Sequence, residues 1–133
     1  MPRVIGVDIG AKGALALLSP TGELLEVVDM PILRDGPANR PKVNASLLSA
    51  IVYRWHADQV FVEFVAARPK EGPTGAFSFG RPRGVIAKDA ARSEAIRRWP
   101  DKAQFFARVK DDGRAEAALI AVAGLTRTGT RNG

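Results

Sequence analysis

Two acidic residues lie in apolar segments, where an ionised side chain is unusual. Asp8 is the only acid in "VIGVDIGAKGALALL" (residues 4–18), and Glu63 is the only acid between Val60 and Val65. Burying an unpaired carboxylate is costly, so such a residue is neutralised, paired or used to hold a cation. Two of them on neighbouring strands would repel each other unless a cation lay between them.

A second pair of acids follows in "KDDGRAEAALIAVAG", near the end of the chain. Asp112 and Glu116 are four residues apart, so both carboxylates fall on one side of a helix. Asp111 is about 100° away on an ideal helix and points elsewhere. The opposite, apolar side of this helix can pack on a sheet, which would direct Asp112 and Glu116 towards the strand acids.

Carboxylate-only clusters suit Mg²⁺ or Mn²⁺ rather than zinc. Two such ions about 3.5–4 Å apart activate a water and stabilise the leaving oxygen of a phosphodiester. We therefore predict a metal site, catalytic in phosphodiester cleavage, formed by Asp8, Glu63, Asp112 and Glu116. The alternative is that the four acids form ordinary ion pairs and helix caps.

Hydrophobic periodicity indicates the elements that position these acids. Alternation in the first strand puts Ile5 and Val7 on one face and Val4 and Asp8 on the other. Residues 34–42 are rich in Gly and Pro and predict a mobile loop. The predicted strands are 3–9, 14–18, 23–30 and 60–65, the first three forming an antiparallel meander, and the predicted helices are one capped by Asn44, one over 89–99 and one over 112–125.

Composition excludes several classes of protein. The length of 133 residues predicts one domain, and the absence of cysteine excludes disulfides, zinc–thiolate sites and cysteine nucleophiles. No apolar stretch approaches the roughly 18 residues of a membrane span, and the N-terminus lacks the layout of a signal peptide. We expect a cytoplasmic protein without a membrane partner.

The net charge of +6 is concentrated in one part of the chain. Residues 68–114 hold 12 of the 20 Lys and Arg but 6 of the 14 Asp and Glu, so they carry the whole excess. This favours a polyanionic partner such as nucleic acid, against the alternative of a solvated basic face. The candidate DNA-binding residues are phosphate contacts and two aromatic side chains that can stack on unpaired bases: Lys12, Phe77, Phe79, Arg81, Arg83, Lys88 and Arg92.

Three segments resemble one nuclease family. "VIGVDIGAKGALALL", "VFVEFVAARPKEGPTGAFSFGR" and "KDDGRAEAALIAVAGL" are similar to the RuvC-type crossover junction endodeoxyribonucleases of the RNase H-like superfamily, particularly to short members from phages and prophages. The resemblance implies a single RNase H-like nuclease domain over residues 1–125. The polar residues after it predict a flexible tail over 126–133. It also implies metal-dependent cleavage of branched DNA, such as a Holliday junction, by a homodimer with two Mg²⁺ or Mn²⁺ ions in each site.

The resemblance assigns roles to the acids and leaves one position open. Asp8 corresponds to the first-strand ligand and Glu63 to the fourth-strand ligand, while Asp112 and Glu116 stand at the acids of the terminal helix. Many relatives space the helix acids three apart, where this chain has Gly113, so either Asp111 or Asp112 can be the ligand. Two alternatives remain: a YqgF-like nuclease of RNA processing, and a non-catalytic DNA-binding prophage remnant.

An internal block of the family is missing from this chain. Relatives follow the glutamate strand with a long helix and a fifth strand, which need about 20–30 residues. Here "RPRGVIA" (residues 81–87) leads directly into the basic helix at Asp89. We therefore expect an RNase H-like α/β sheet that lacks its fifth strand, with the basic helix docked near the vacant edge.

Overall fold

The chain begins with strands and ends with helices. The computed structural model describes residues 3–35, 40–63 and 82–132. Two 3-10 segments, Pro100–Phe106 and Val109–Asp111, connect the last two α-helices. The strands and α-helices are, in order, β1 (Val4–Asp8), β2 (Ala14–Leu18), β3 (Leu24–Asp29), β4 (Ile32–Asp35), β5 (Arg40–Val43), α1 (Ala45–Trp55), β6 (Gln59–Glu63), α2 (Pro82–Arg98) and α3 (Asp112–Asn132).

The main sheet confirms the predicted meander. β1 pairs with β2 and β2 with β3, both antiparallel, and β6 lies parallel to β1 on its other side. The strand order is β3-β2-β1-β6, so the protein has a mixed α/β fold with a mixed four-stranded sheet. The turn between β2 and β3 is fixed by Ser19, whose Oγ accepts the backbone N–H groups of Thr21 and Glu23 at 3.2 and 3.0 Å.

Helix α1 covers one face of the sheet. Asn44 caps it as predicted, its Oδ1 accepting the N–H of Leu47 at 3.2 Å. Trp55, buried at the last residue of the helix, packs against the side chains of Ile5 and Val7 from β1. The alternation predicted for the first strand is therefore confirmed on this face.

Helix α3 covers the opposite face at very close range. Val4 from β1 and the small residues Ala117 and Ala121 from α3 belong to one buried cluster. A Cβ at Gly6 would overlap the carbonyl oxygen of Ala117 and lie 2.5 Å from the backbone N of Ala121. Only glycine at position 6 lets helix and strand approach this closely, and Asp8 follows two residues later on the same face.

The segment predicted as a loop over residues 34–42 contains strand pairing. β4 and β5 form a separate two-stranded antiparallel ribbon. Pro41 lies opposite Arg34, and because a ribbon has free edges, the missing N–H of proline is tolerated there. Its Gly and Pro content is typical of a loop, which is why the strands were not predicted. The loop prediction was wrong for residues 34–35 and 40–42, and residues 36–39 lie outside the described part of the chain.

Helix α2 starts earlier than predicted. The predicted helix began at Asp89, but the backbone is helical from Pro82, so residues 84–88 are neither an extended link nor a fifth strand. The composition of residues 66–84 predicts a loop or an irregular helix start, and the second alternative holds from Pro82 onward. Proline fixes φ near the helical value and is well tolerated in a first turn. The helix contacts α3 and the first 3-10 segment.

The position of the end of α2 also differs from the prediction. The indole Nε1–H of Trp99 donates to the carbonyl of Gly22 in the β2–β3 turn at 3.0 Å. This end of the basic helix therefore lies on the β3 side of the sheet, not at the β6 edge. Trp99 and Phe106 stack at a centroid distance of 6.2 Å and close the core there.

Strand β6 borders the sheet on one side, and helix α3 is longer than predicted. Within the described residues β6 is an edge strand, and its Val60 and Val62 are 43% and 39% exposed. Helix α3 continues to Asn132, so the backbone is helical where a flexible tail was predicted after residue 125. In the described ranges we find no helix with the length and apolar character needed to cross a bilayer.

Candidate functional site

The two strand acids are direct neighbours in the sheet. Asp8 and Glu63 are the last residues of β1 and β6, and they are paired in the parallel register of these strands. Because the strands are parallel, their carboxyl ends meet at one edge of the sheet. Asp8 is half-buried, and the side chain of Glu63 lies outside the described part of the structure.

The start of α3 rests directly on the turn that follows Asp8. A Cβ at Gly113 would overlap the carbonyl oxygen of Lys12 and lie 3.0 Å from the Cα of Gly13. Gly13 in turn has no room for a Cβ beside the carbonyl oxygen of Asp8. The first turn of α3 and the end of β1 are therefore held together by backbone contacts through two glycines.

Asp112 and Glu116 lie on the side of α3 that faces away from β3. Arg114, about 200° around the helix from Asp112, donates from Nε to Asp29 at the end of β3 at 2.8 Å. The opposite side of α3 therefore faces the β6 half of the sheet, where the strand acids lie.

Packing near the middle of α3 agrees with this orientation. A Cβ at Gly124 would overlap the ring of Phe61 in β6. Gly124 is two further i,i+4 steps from Glu116 along the same side of the helix. The backbone thus brings the positions of all four predicted acids to one corner of the protein.

Asp112 is held by an arginine in this arrangement. Arg92 Nε donates to Asp112 Oδ1 at 2.8 Å, and Arg92 Nη2 contacts Asp89 Oδ1 at 2.5 Å. The side chains of Arg92 and Asp112 are only 15% and 21% exposed. Desolvation lowers the pKa of Arg92, but the hydrogen bonds that it donates to the two carboxylates, together with their negative charges, outweigh this effect and raise the pKa above its ordinary value.

Asp111 is buried and pairs with other arginines than Asp112 does. It is 1% exposed, and its carboxylate accepts the backbone N–H and the Nη2 of Arg108, each at 2.9 Å. Arg114 Nη1 lies 3.7 Å from the same carboxylate. Burial raises the pKa of Asp111, but the hydrogen bonds and charges of Arg108 and Arg114 lower it below its ordinary value of 3.8.

Replacing this buried carboxylate should cost stability at neutral pH. We expect Asp111→Asn to lower the free energy of unfolding by about 2–3 kcal/mol, because Arg108 loses this charged partner and Arg114 keeps only Asp29 of its two. Since folding lowers the pKa, the ionised carboxylate stabilises the wild type above the ordinary pKa, and this contribution is lost as the pH falls towards the folded-state pKa. Urea unfolding from pH 7 to pH 2.5 should show the two proteins converging; a constant difference would contradict the pairing.

The structure describes the side chains of only two of the predicted DNA-binding residues, Lys12 and Arg92, and their surroundings differ. Lys12 is exposed in the β1–β2 turn, next to the site. Arg92 is occupied by two carboxylates. Arg83 and Lys88 lie on the helical backbone of α2, though their side chains are not among those described, and Phe77, Phe79 and Arg81 lie outside the described residues.

The donor chemistry at this corner suits a divalent cation. All four acids offer oxygen ligands, and a cationic group, the guanidinium of Arg92, already contacts Asp112. Among the described side chains, which do not include that of Glu63, no three acids or histidines are arranged to hold a metal ion. A metal site here therefore requires the side chain of Glu63 and access to Asp112.

Two features of the site escaped the sequence analysis. The Arg92–Asp112 pair joins residues of different helices and follows no local pattern. The role of Gly113 had a signal in the sequence, because this glycine stands between the two candidate acids of the helix. The structure shows that a Cβ at this position would overlap the backbone of the β1–β2 turn.

Comparison with known proteins adds no assignment. A scan against protein-family models finds no match, and a search of curated proteins finds no similar sequence.

Proposed function

We propose that this protein is a metal-dependent endonuclease with an RNase H-like, RuvC-like domain that cleaves phosphodiesters in branched DNA. The observation that carries the proposal is the in-register pair Asp8 and Glu63 at the carboxyl ends of two parallel strands. The placement of Asp112 and Glu116 on the β6 side of α3 supports it. In this proposal, acids from two strands and one helix would act on the same substrate position.

In the proposal, the four acids are metal ligands from two parts of the fold. Asp8 and Glu63 would hold Mg²⁺ or Mn²⁺ at the end of the sheet, and Asp112 and Glu116 would hold it from the helix. When bound, a pair of such ions supplies an activated water and stabilises the leaving oxygen of the phosphodiester. Asp111 is excluded from this set in the proposal, because its carboxylate is enclosed by Arg108 and Arg114.

The charge distribution supports DNA as the polyanionic substrate. The basic segment begins after β6 and continues through α2, the two elements that border the site. Phosphates drawn to this segment would pass the acidic corner. Cutting both strands of a four-way junction needs two sites, so we include a homodimer in the proposal.

A non-catalytic DNA-binding role is the second candidate. It is favoured by one observation, the engagement of Asp112 by Arg92, which leaves that carboxylate bound to a side chain. A protein that kept this pairing in all conditions would bind DNA without cutting it.

The deciding experiment compares three substrates. We expect the purified chain with Mg²⁺ to cut a synthetic four-way junction, with little cutting of a linear duplex of the same sequence, and EDTA to stop the reaction. Products are resolved on denaturing gels. Preferential cutting of a structured RNA would favour the YqgF-like alternative, and tight junction binding without cutting in Mg²⁺ or Mn²⁺ would favour the non-catalytic role.

A further inference from the structure

Arg92 differs from Arg97 and Arg98, the other arginines of α2 with described side chains, by the acid that it contacts. Arg97 and Arg98 pair with Glu94 of their own helix, and the side chain of Arg97 is 71% exposed. Arg92 instead reaches across to α3 and contacts Asp112 through a largely buried ion pair. Its second partner, Asp89, is 77% exposed, so solvent screens that contact.

The Arg92–Asp112 pair opposes the binding of a second cation at the same carboxylate. The Nε–H of Arg92 donates to Asp112 Oδ1 at 2.8 Å, which uses the oxygen that faces α2. A divalent ion ligated by Asp112 would place two like charges within a few ångströms in a partly buried corner. The two cations therefore compete for this carboxylate.

We propose that Arg92 is an internal competitor of the metal: it neutralises Asp112 in the metal-free protein, and a divalent ion must displace it. This inference rests on the proposed function, since it assumes that Asp112 is a ligand. Once displaced, the guanidinium of Arg92 stays tethered beside the site through α2 and has a free Nε–H. That group suits a phosphate oxygen of DNA, so loading of the metal would make a DNA contact available.

The test measures binding of Mn²⁺ alone by calorimetry, with no DNA and no turnover. Arg92→Gln removes the competing charge, so it should bind Mn²⁺ about tenfold more tightly than wild type, within the usual range of coupling between two ligands. Arg92→Lys keeps the charge and should show a smaller gain. Arg97→Gln, on the same helix but paired with Glu94, is the matched control and should bind as wild type does.

A double-variant cycle assigns the effect to Asp112. In an Asp112→Asn background, Arg92→Gln should no longer change the affinity for Mn²⁺. A measurement on the wild type avoids dependence on variant folding: titration with diamagnetic Mg²⁺ should shift the ¹⁵N–¹H signal of Arg92 Nε, while that of Arg97 Nε stays in place.

The outcomes separate this inference from the proposed function. Equal Mn²⁺ affinity in wild type and Arg92→Gln, with junction cleavage intact, would overturn the competition and leave the nuclease proposal standing. The absence of Mn²⁺ binding at millimolar concentration in both proteins would overturn both. A gain in Arg92→Gln that persists in the Asp112→Asn background would also overturn the competition at Asp112.

Discussion

Asp8→Asn should abolish metal-dependent cleavage of a four-way junction and leave the fold intact. The substitution keeps the size of a half-buried side chain at the end of β1 but removes the charge that a divalent ion requires. We expect a loss of at least about a thousandfold in the cleavage rate, equivalent to about 4 kcal/mol of transition-state stabilisation. Single-turnover cleavage at saturating protein is the measurement, so that binding does not limit the rate.

Junction binding should be retained or slightly tightened in the same variant. Removing a negative charge reduces repulsion of the phosphates, so the dissociation constant in a gel-shift assay without metal should not rise. Glu63→Gln should behave in the same way, because its position is paired with Asp8. Cleavage by either variant at the wild-type rate would remove the strand acids from the mechanism.

Asp29→Asn provides a matched control for the strand acids. Asp29 is the last residue of β3, and both it and Asp8 are paired in register with Ala14, so all three lie in one row across the sheet. Asp29 instead pairs with Arg114, on the other side of α3. Its loss should leave the cleavage rate within about threefold of wild type, since an exposed ion pair contributes little to stability.

The strand part of the site could be predicted because it depends on a period of two. Alternation fixed which face of β1 carries Asp8, and the turn residues after β2 fixed the meander. The parallel pairing of β1 with β6 then brought Glu63 beside Asp8. Each of these steps depends on local pattern or on one neighbouring strand.

The helical part of the site depends on contacts that no local pattern records. Arg92 and Asp112 are 20 residues apart on different helices, so their pairing arises from the crossing of α2 over α3. Asp111 and Asp112 are adjacent and chemically alike, and they differ in the arginines that they contact: Arg108 and Arg114 for Asp111, and Arg92 for Asp112. The early start of α2 was missed because residues 66–84 are rich in Gly, Pro and Arg, a composition that fits a loop as well as an irregular helix start.

Gly6→Ala should strongly destabilise the packing of α3 on the sheet. The added Cβ would overlap the carbonyl oxygen of Ala117 and lie 2.5 Å from the backbone N of Ala121. Backbone atoms of a helix cannot rotate away as a side chain can, so α3 must move off the sheet. We expect a loss of about 3 kcal/mol in the free energy of unfolding, at the upper end for overpacking, measured by urea denaturation.

Two further variants test whether the destabilisation by Gly6→Ala comes from the overlap with the helix backbone or simply from added side-chain volume. Ala123→Met adds a larger side chain on the exposed side of the same helix and should change stability by no more than about 0.5 kcal/mol. Combining Gly6→Ala with Ala121→Gly removes a side chain 2.9 Å from the new methyl but leaves both backbone obstacles in place. The double variant should therefore remain as unstable as Gly6→Ala or become less stable. If the double variant recovered wild-type stability, side chains and not the helix backbone would set the distance between α3 and β1. That distance also determines where Asp112 and Glu116 lie relative to the strand acids.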